Sequence, residues 1–228
     1  KETLLNKGIV IIPDFVPQSS MNKIQDYLKI IREKISSFES SNKSIKEESD
    51  VLFQKGHTKI KTYDALANYK KSIVTIRQGQ DQGMIDIFNI NKWQKFLGDI
   101  LEPYFNHSII FEILNDNNGL LKPKNLNLYL NKEIKNTRGF HVDSYNKKFK
   151  GFIYLEDCLN LEYGPYTYVK ESHVNSFSSK INKQISSILP IQTETLFVSQ
   201  HNILPVLGKK GTLIISDQGG SHRGFPQS

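Results

Sequence analysis

The chain has 228 residues, 38% hydrophobic and 23% charged, with 30 basic against 23 acidic side chains and a formal net charge of +7. That balance excludes a disordered chain, and no apolar run approaches the roughly eighteen residues a bilayer-spanning helix needs. The lysines are scattered and the arginines are Arg32, Arg77, Arg138 and Arg223 alone, so no nucleic-acid interface is expected; the positive surplus points instead to an anionic small-molecule substrate.

A single cysteine, Cys158, excludes an internal disulfide and any multi-cysteine zinc site, and suits a reducing, cytoplasmic compartment. No basic region followed by an apolar core opens the chain, so no signal peptide is read. The sequence runs from Lys1 to Ser228, six residues past His222, and trimming of the C-terminus is expected. Its length suits one domain covering 1–228.

Taken in order, Gly8-Ile-Val-Ile-Ile12 reads as a short buried strand stopped by Pro13. Met21, Ile24, Leu28, Ile31 and Ile35 recur at spacings of three and four, which predicts a helix with one apolar face. From about Ser36 to Lys61 the chain turns polar and reads as a surface loop; His57 within it has no evident partner. Ser72–Arg77 reads as a strand, and the Gly- and Gln-rich stretch after it as a loop or turn. Trp93, Phe96, Leu97, Ile100, Leu101 and Tyr104 predict a second amphipathic helix with Trp93 in the core.

The pattern then changes to period two. Ser108–Leu114 and Asn125–Leu130 are strand candidates, the second alternating Leu126, Leu128 and Leu130 with Asn127 and Tyr129. With the leucines on one side, Asn127 and Tyr129 line the other, where they are candidate co-substrate contacts. Gly151–Leu155, a turn into Tyr166–Val169, Thr195–Val198 and Gly211–Ile215 complete the strand set, with a polar helical or loop segment over 173–192. Helices first and many short strands afterwards favour a sandwich or barrel with helices outside it.

The chemistry is concentrated in two places. In Thr137-Arg-Gly-Phe-His-Val-Asp-Ser-Tyr145, His141 and Asp143 stand two apart, so on an extended backbone they leave the same face while Val142 leaves the other. Directly after the apolar Gly211–Ile215 strand comes His222. Two imidazoles and one carboxylate on an open site form the triad that suits non-haem Fe(II) oxygenases. The same three ligands would suit a zinc hydrolase or isomerase, and the same barrel occurs in cupin-like metal-binding modules without redox turnover.

Leu155-Glu-Asp-Cys-Leu-Asn-Leu-Glu-Tyr-Gly-Pro-Tyr-Thr-Tyr-Val-Lys-Glu-Ser-His173 resembles the phytanoyl-CoA dioxygenase family of Fe(II)/2-oxoglutarate oxygenases, with Tyr163-Gly164-Pro165 and Glu171-Ser172-His173 in the places of its Asn-Gly-Pro and Ser-His elements. Lys210–Gly224 is similar to the family's glycine-led strand ending in the distal iron-binding His, and Gly8–Phe15 to its opening. The resemblance implies a mainly β fold with flanking helices, a double-stranded β-helix (jelly roll, cupin-like barrel). It implies iron held by His141, Asp143 and His222, with 2-oxoglutarate and dioxygen as co-substrates. Asp143, where related halogenases carry a small residue, implies hydroxylation. His173 takes the place of a structural histidine, and His107 and His201 read as ordinary ones. The family also holds the distal carboxylate of 2-oxoglutarate with an Arg that lies further past the distal His than this chain extends. That anchor is expected in a missing C-terminal strand, the alternative being its replacement by Arg138 or Arg77; Arg223, next to the ligand, should face away from it.

Overall fold

The computed structural model describes residues 2–56, 63–114, 121–174, 177–188 and 195–227. In chain order these carry α1 (Glu2–Lys7), β1 (Ile9–Ile12), α2 (Gln18–Glu39), β2 (Ile45–Glu47), β3 (Val51–Lys55), α3 (Tyr63–Asn68), β4 (Ser72–Ile76), β5 (Met84–Phe88), α4 (Ile90–Trp93), α5 (Lys95–Phe105) and α6 (Ser108–Leu114). After them come β6 (Leu128–Asn131), β7 (Phe149–Ile153), β8 (Tyr166–Val169), α7 (Phe177–Ile188), β9 (Ile203–Pro205), β10 (Leu213–Asp217) and β11 (His222–Gly224). The fold is mainly β with helices. Two compact units divide the chain, residues 1–17 with 137–228 and residues 18–136. Among the described residues no helix is long and apolar enough to cross a membrane.

In the unit formed by 18–136, the stripe of α2 behaves as its spacing dictates: Met21, Ile24, Leu28, Ile31, Ile35 and Phe38 are all buried, each such side chain worth about 1.5–3 kcal/mol of transfer out of water. Phe38 packs on Phe53 of β3, ring centroids 5.3 Å apart, and Trp93 meets Phe53 edge-on at 5.5 Å. The sheet here has the order β2-β3-β4-β5-β6, antiparallel except for β3 with β4.

Three expectations for secondary structure are corrected. The polar stretch 36–61 is not simply a loop: its described part holds the end of α2 and strands β2 and β3, with Val51 and Phe53 buried; His57 lies outside the described residues. Ser108–Leu114 forms the helix α6, not a strand, and only Ile110 on it is buried. Thr195–Val198 joins no strand ladder; Thr195 N donates to Phe140 O at 2.8 Å and Phe197 N to Asn182 Oδ1 at 3.3 Å.

The other unit carries two three-stranded antiparallel sheets, β1-β10-β7 and β11-β8-β9. Alternation sends one face of each inward, and the two inner faces share one core. Ile9, Ile214, Tyr168 and Val206 form its buried centre, with Ile11, Phe152, Tyr154, Tyr166 and Leu204 packed against it. Register puts Lys150 opposite Ser216 and Phe152 opposite Ile214, so Lys150 and Ser216 leave their strands on the same inner face as the core pair.

Candidate metal centre

His222 begins β11, opposite Tyr168 of β8. His141 is not in a regular strand; it forms a lone antiparallel bridge with His222, in which His141 N donates to His222 O at 3.0 Å and His222 N to His141 O at 2.9 Å. Residues paired in this way present their side chains on the same face, and the imidazole centroids lie 4.7 Å apart. Val142 is buried on the opposite side, which returns Asp143 to the face of His141. Asp143 Oδ1 lies 3.7 Å from both His141 Nε2 and His222 Nε2. Of the sequence candidates, His141, Asp143 and His222 are therefore brought together, their ligand atoms all within 4.8 Å of one another.

The protonation pattern favours a cation among them. His141 Nδ1 bonds the carbonyl of Gly139 at 2.9 Å, and His222 Nδ1 the carbonyl of Gly220 at 3.0 Å. A carbonyl only accepts, so each Nδ1 carries the hydrogen, and Nε2 is the nitrogen left to ligate. Burial, then the neighbouring His222, lowers the His141 pKa to about 4, so this imidazole is neutral near pH 7. For Asp143, burial pushes upward, but His222 and Lys150 outweigh it and hold the carboxyl well below its usual range. One carboxylate oxygen and two imidazole Nε2 atoms thus converge, which is the donor set a divalent metal requires. These residues fit such an ion.

Lys150 Nζ bonds the other carboxylate oxygen, Oδ2 of Asp143. On the same inner face Tyr166 Oη lies 3.0 Å from Ser216 Oγ, and Gln218 Nε2 donates to Ser216 Oγ at 2.9 Å. Burial pushes the Tyr166 phenol up to about 12, so it stays protonated. None of these four was singled out in the sequence. The available signal was Lys150 itself, a charge two residues before Phe152 on an inward face.

The remaining candidates are placed as follows. Arg138 is half-buried and near enough for its charge to lower the His141 pKa. Asn127 and Tyr129 belong to the unit formed by 18–136, where Asn127 Oδ1 accepts from Asn89 N at 3.1 Å and Tyr129 pairs opposite Asp86. Arg77, in that same unit, forms a bidentate pair with Asp86 at 2.7 and 3.1 Å and bonds Asp81 at 2.8 Å. Arg223 turns away from the triad: it bonds Thr137 Oγ1 and lies over the Phe140 ring at 5.5 Å. His173 Nε2 donates to Leu5 O at 2.9 Å, and His107 Nδ1 accepts from Ile109 N at 3.3 Å.

The chain shares its fold with non-haem enzymes that depend on 2-oxoglutarate. SnoK, a non-haem α-ketoglutarate-dependent carbocyclase from nogalamycin biosynthesis, matches with a TM-score of 0.61 at 14% identity over 99% of this chain and 76% of its own. HygX from Streptomyces hygroscopicus, with nickel and 2-oxoglutarate bound, matches with a TM-score of 0.55 at 10% identity over 100% and 81%. The epimerase SnoN, in complex with Fe3+, α-ketoglutarate and nogalamycin RO, matches with a TM-score of 0.52 at 15% identity over 100% and 76%. No protein-family model matches the sequence, and neither does any curated protein.

Proposed function

We propose that this protein is an Fe(II)- and 2-oxoglutarate-dependent dioxygenase of the phytanoyl-CoA dioxygenase type, which hydroxylates an unactivated C–H bond of a small, anionic molecule. Its scaffold is a double-stranded β-helix built on the two facing sheets, and it works in the cytoplasm. The observation that carries this reading is the convergence of His141 Nε2, Asp143 Oδ1 and His222 Nε2 with both Nδ1 atoms committed to backbone carbonyls. A fold shared with enzymes that bind 2-oxoglutarate supports it.

Iron held by those three side chains would supply the redox step, in which one oxygen atom of dioxygen enters the substrate and the other enters succinate as 2-oxoglutarate loses carbon dioxide. The protein's share is orientation and exclusion of water. Three ligands on one face leave the rest of the coordination sphere to the co-substrates. The aromatic and aliphatic core of Phe152, Tyr166, Tyr168 and Ile214 walls the site on its inner side.

Anaerobic titration of metal-free protein with Fe(II), then 2-oxoglutarate, tests the reading. A visible charge-transfer band that disappears in His141→Ala and Asp143→Ala is expected; no band with wild-type protein would refute it.

A further inference from the structure

The inner face beside the triad holds a cation, Lys150, bonded to Asp143 Oδ2, the carboxylate oxygen that does not face the two imidazoles. In the metal-free protein Asp143 and Lys150 form an ion pair. Both side chains are partly shielded from solvent, with exposures of 21% for Asp143 and 26% for Lys150. A divalent ion on Asp143 adds two positive charges beside Lys150, and uncompensated charge shielded from water is costly. A dicarboxylate dianion restores neutrality: one end completes the metal's coordination, and the other is left for Lys150.

The surroundings of Lys150 suit a carboxylate. Tyr166 and Ser216 share a single hydrogen bond between two hydroxyls, and Gln218 donates to the same Ser216 oxygen. Two hydroxyls use one hydrogen for their shared bond, so the other hydroxyl hydrogen is left to donate elsewhere. Ser216 is fully buried and sits directly opposite Lys150 in the sheet, which places a neutral donor beside the ammonium. Arg138, three residues before His141, lies outside the strands β7, β8 and β10 that carry Lys150, Tyr166 and Ser216.

We propose that Lys150 is the anchor for the distal carboxylate of the co-substrate, and that it changes partner: paired with Asp143 when the site is metal-free, and with the dicarboxylate once the metal has taken Asp143. Tyr166 and Ser216 add one hydroxyl donor. This rests on the functional reading above and goes beyond it, because it makes metal and dicarboxylate binding depend on Lys150 in opposite senses. Lys150 opposes the metal and favours the dicarboxylate.

Calorimetry with Ni(II), then with two keto acids, tests the exchange without turnover. The keto acids are 2-oxoglutarate and 2-oxovalerate, which has the same chain length and a methyl group in place of the distal carboxylate. Wild-type protein loaded with Ni(II) should prefer 2-oxoglutarate by about 10- to 100-fold, the range of a charge-assisted hydrogen bond. Lys150→Gln should abolish that preference, leave 2-oxovalerate binding unchanged and bind Ni(II) alone at least as tightly as wild type; Lys150→Arg should keep most of the preference. Retention of the preference in Lys150→Gln, or its loss in Arg138→Gln instead, overturns the proposal. So does a Lys150→Gln protein that weakens Ni(II) and both keto acids alike, the mark of a structural residue. Wild-type protein that binds neither Ni(II) nor keto acid would sink the functional reading, and this proposal with it.

Discussion

Gly220 lies two residues before His222, and a methyl group there has nowhere to go. A Cβ at this position would sit 1.8 Å from Tyr168 Oη and 2.3 Å from its Cζ. Tyr168 is fully buried and donates to Asp217 O at 3.0 Å. Its oxygen already packs closely on Gly8, where an added Cβ would come within 2.4 Å of it. Gly220→Ala must therefore move the 219–221 backbone, and with it the carbonyl that orients His222 Nδ1. Overpacking costs about 1–3 kcal/mol and a lost buried hydrogen bond about 1 kcal/mol, so a destabilisation of about 2–4 kcal/mol is expected. Displacing the group that orients a ligand should weaken Ni(II) binding by about 10- to 100-fold. Urea unfolding and calorimetry read the two effects. On a Tyr168→Leu background, which removes the obstructing ring atoms, the same glycine change should cost at least about 1 kcal/mol less. Wild-type stability and Ni(II) affinity in Gly220→Ala, or an undiminished cost on the Tyr168→Leu background, would refute the reasoning.

Other outcomes follow from the same structure. Arg223→Ala should lose about 1–2 kcal/mol, the sum of a cation–π contact with Phe140 and a hydrogen bond to Thr137. Because those residues lead into His141, Ni(II) affinity should also fall several-fold, as calorimetry would record. The metal-free protein should lose stability as pH falls. His141 titrates near 4 when folded against an ordinary 6.5, so the unfolded chain binds its proton first, and up to about 3 kcal/mol disappears between about pH 6.5 and 4. Asp143 acts in the same sense: its carboxyl, held below its ordinary value, stabilises above about pH 4 and that contribution is lost as pH falls further. Urea midpoints that stay flat from about pH 6.5 to 4 would contradict the His141 assignment, and midpoints flat below about pH 4 the Asp143 one. Gly83→Ala, at φ +98° with its Cβ 2.2 Å from Lys132 O, should cost about 2–4 kcal/mol in the same assay.

The triad was legible because its geometry needs only extended backbone: His141 and Asp143 share a face even though a single bridge replaces the expected strand. The stripe of α2 was legible for the same local reason. Ser108–Leu114 misled because its isoleucines and phenylalanine favour strands by composition, whereas context made it a helix that begins with Ile109 N bonded to His107. In β3, Val51 and Phe53 carry a period-two signal, but it spans too few residues to stand out from the Ser, Lys and Glu around it. Lys150 was missed because its meaning lies in its partners. Nothing in Phe149–Ile153 reveals that Ser216 will stand opposite or that Asp143 will come within reach.

The bridge between His141 and His222 also bears on how the protein is supplied with metal. The span between the two imidazoles is set by peptide hydrogen bonds, so the triad should be in place before a metal binds. Removal by a chelator should be reversible, and a substitute ion should enter as readily as the native one, for affinity at such sites rises from iron to nickel. What the chain holds in a cell would then follow the ions around the folded protein and not those present while it folds.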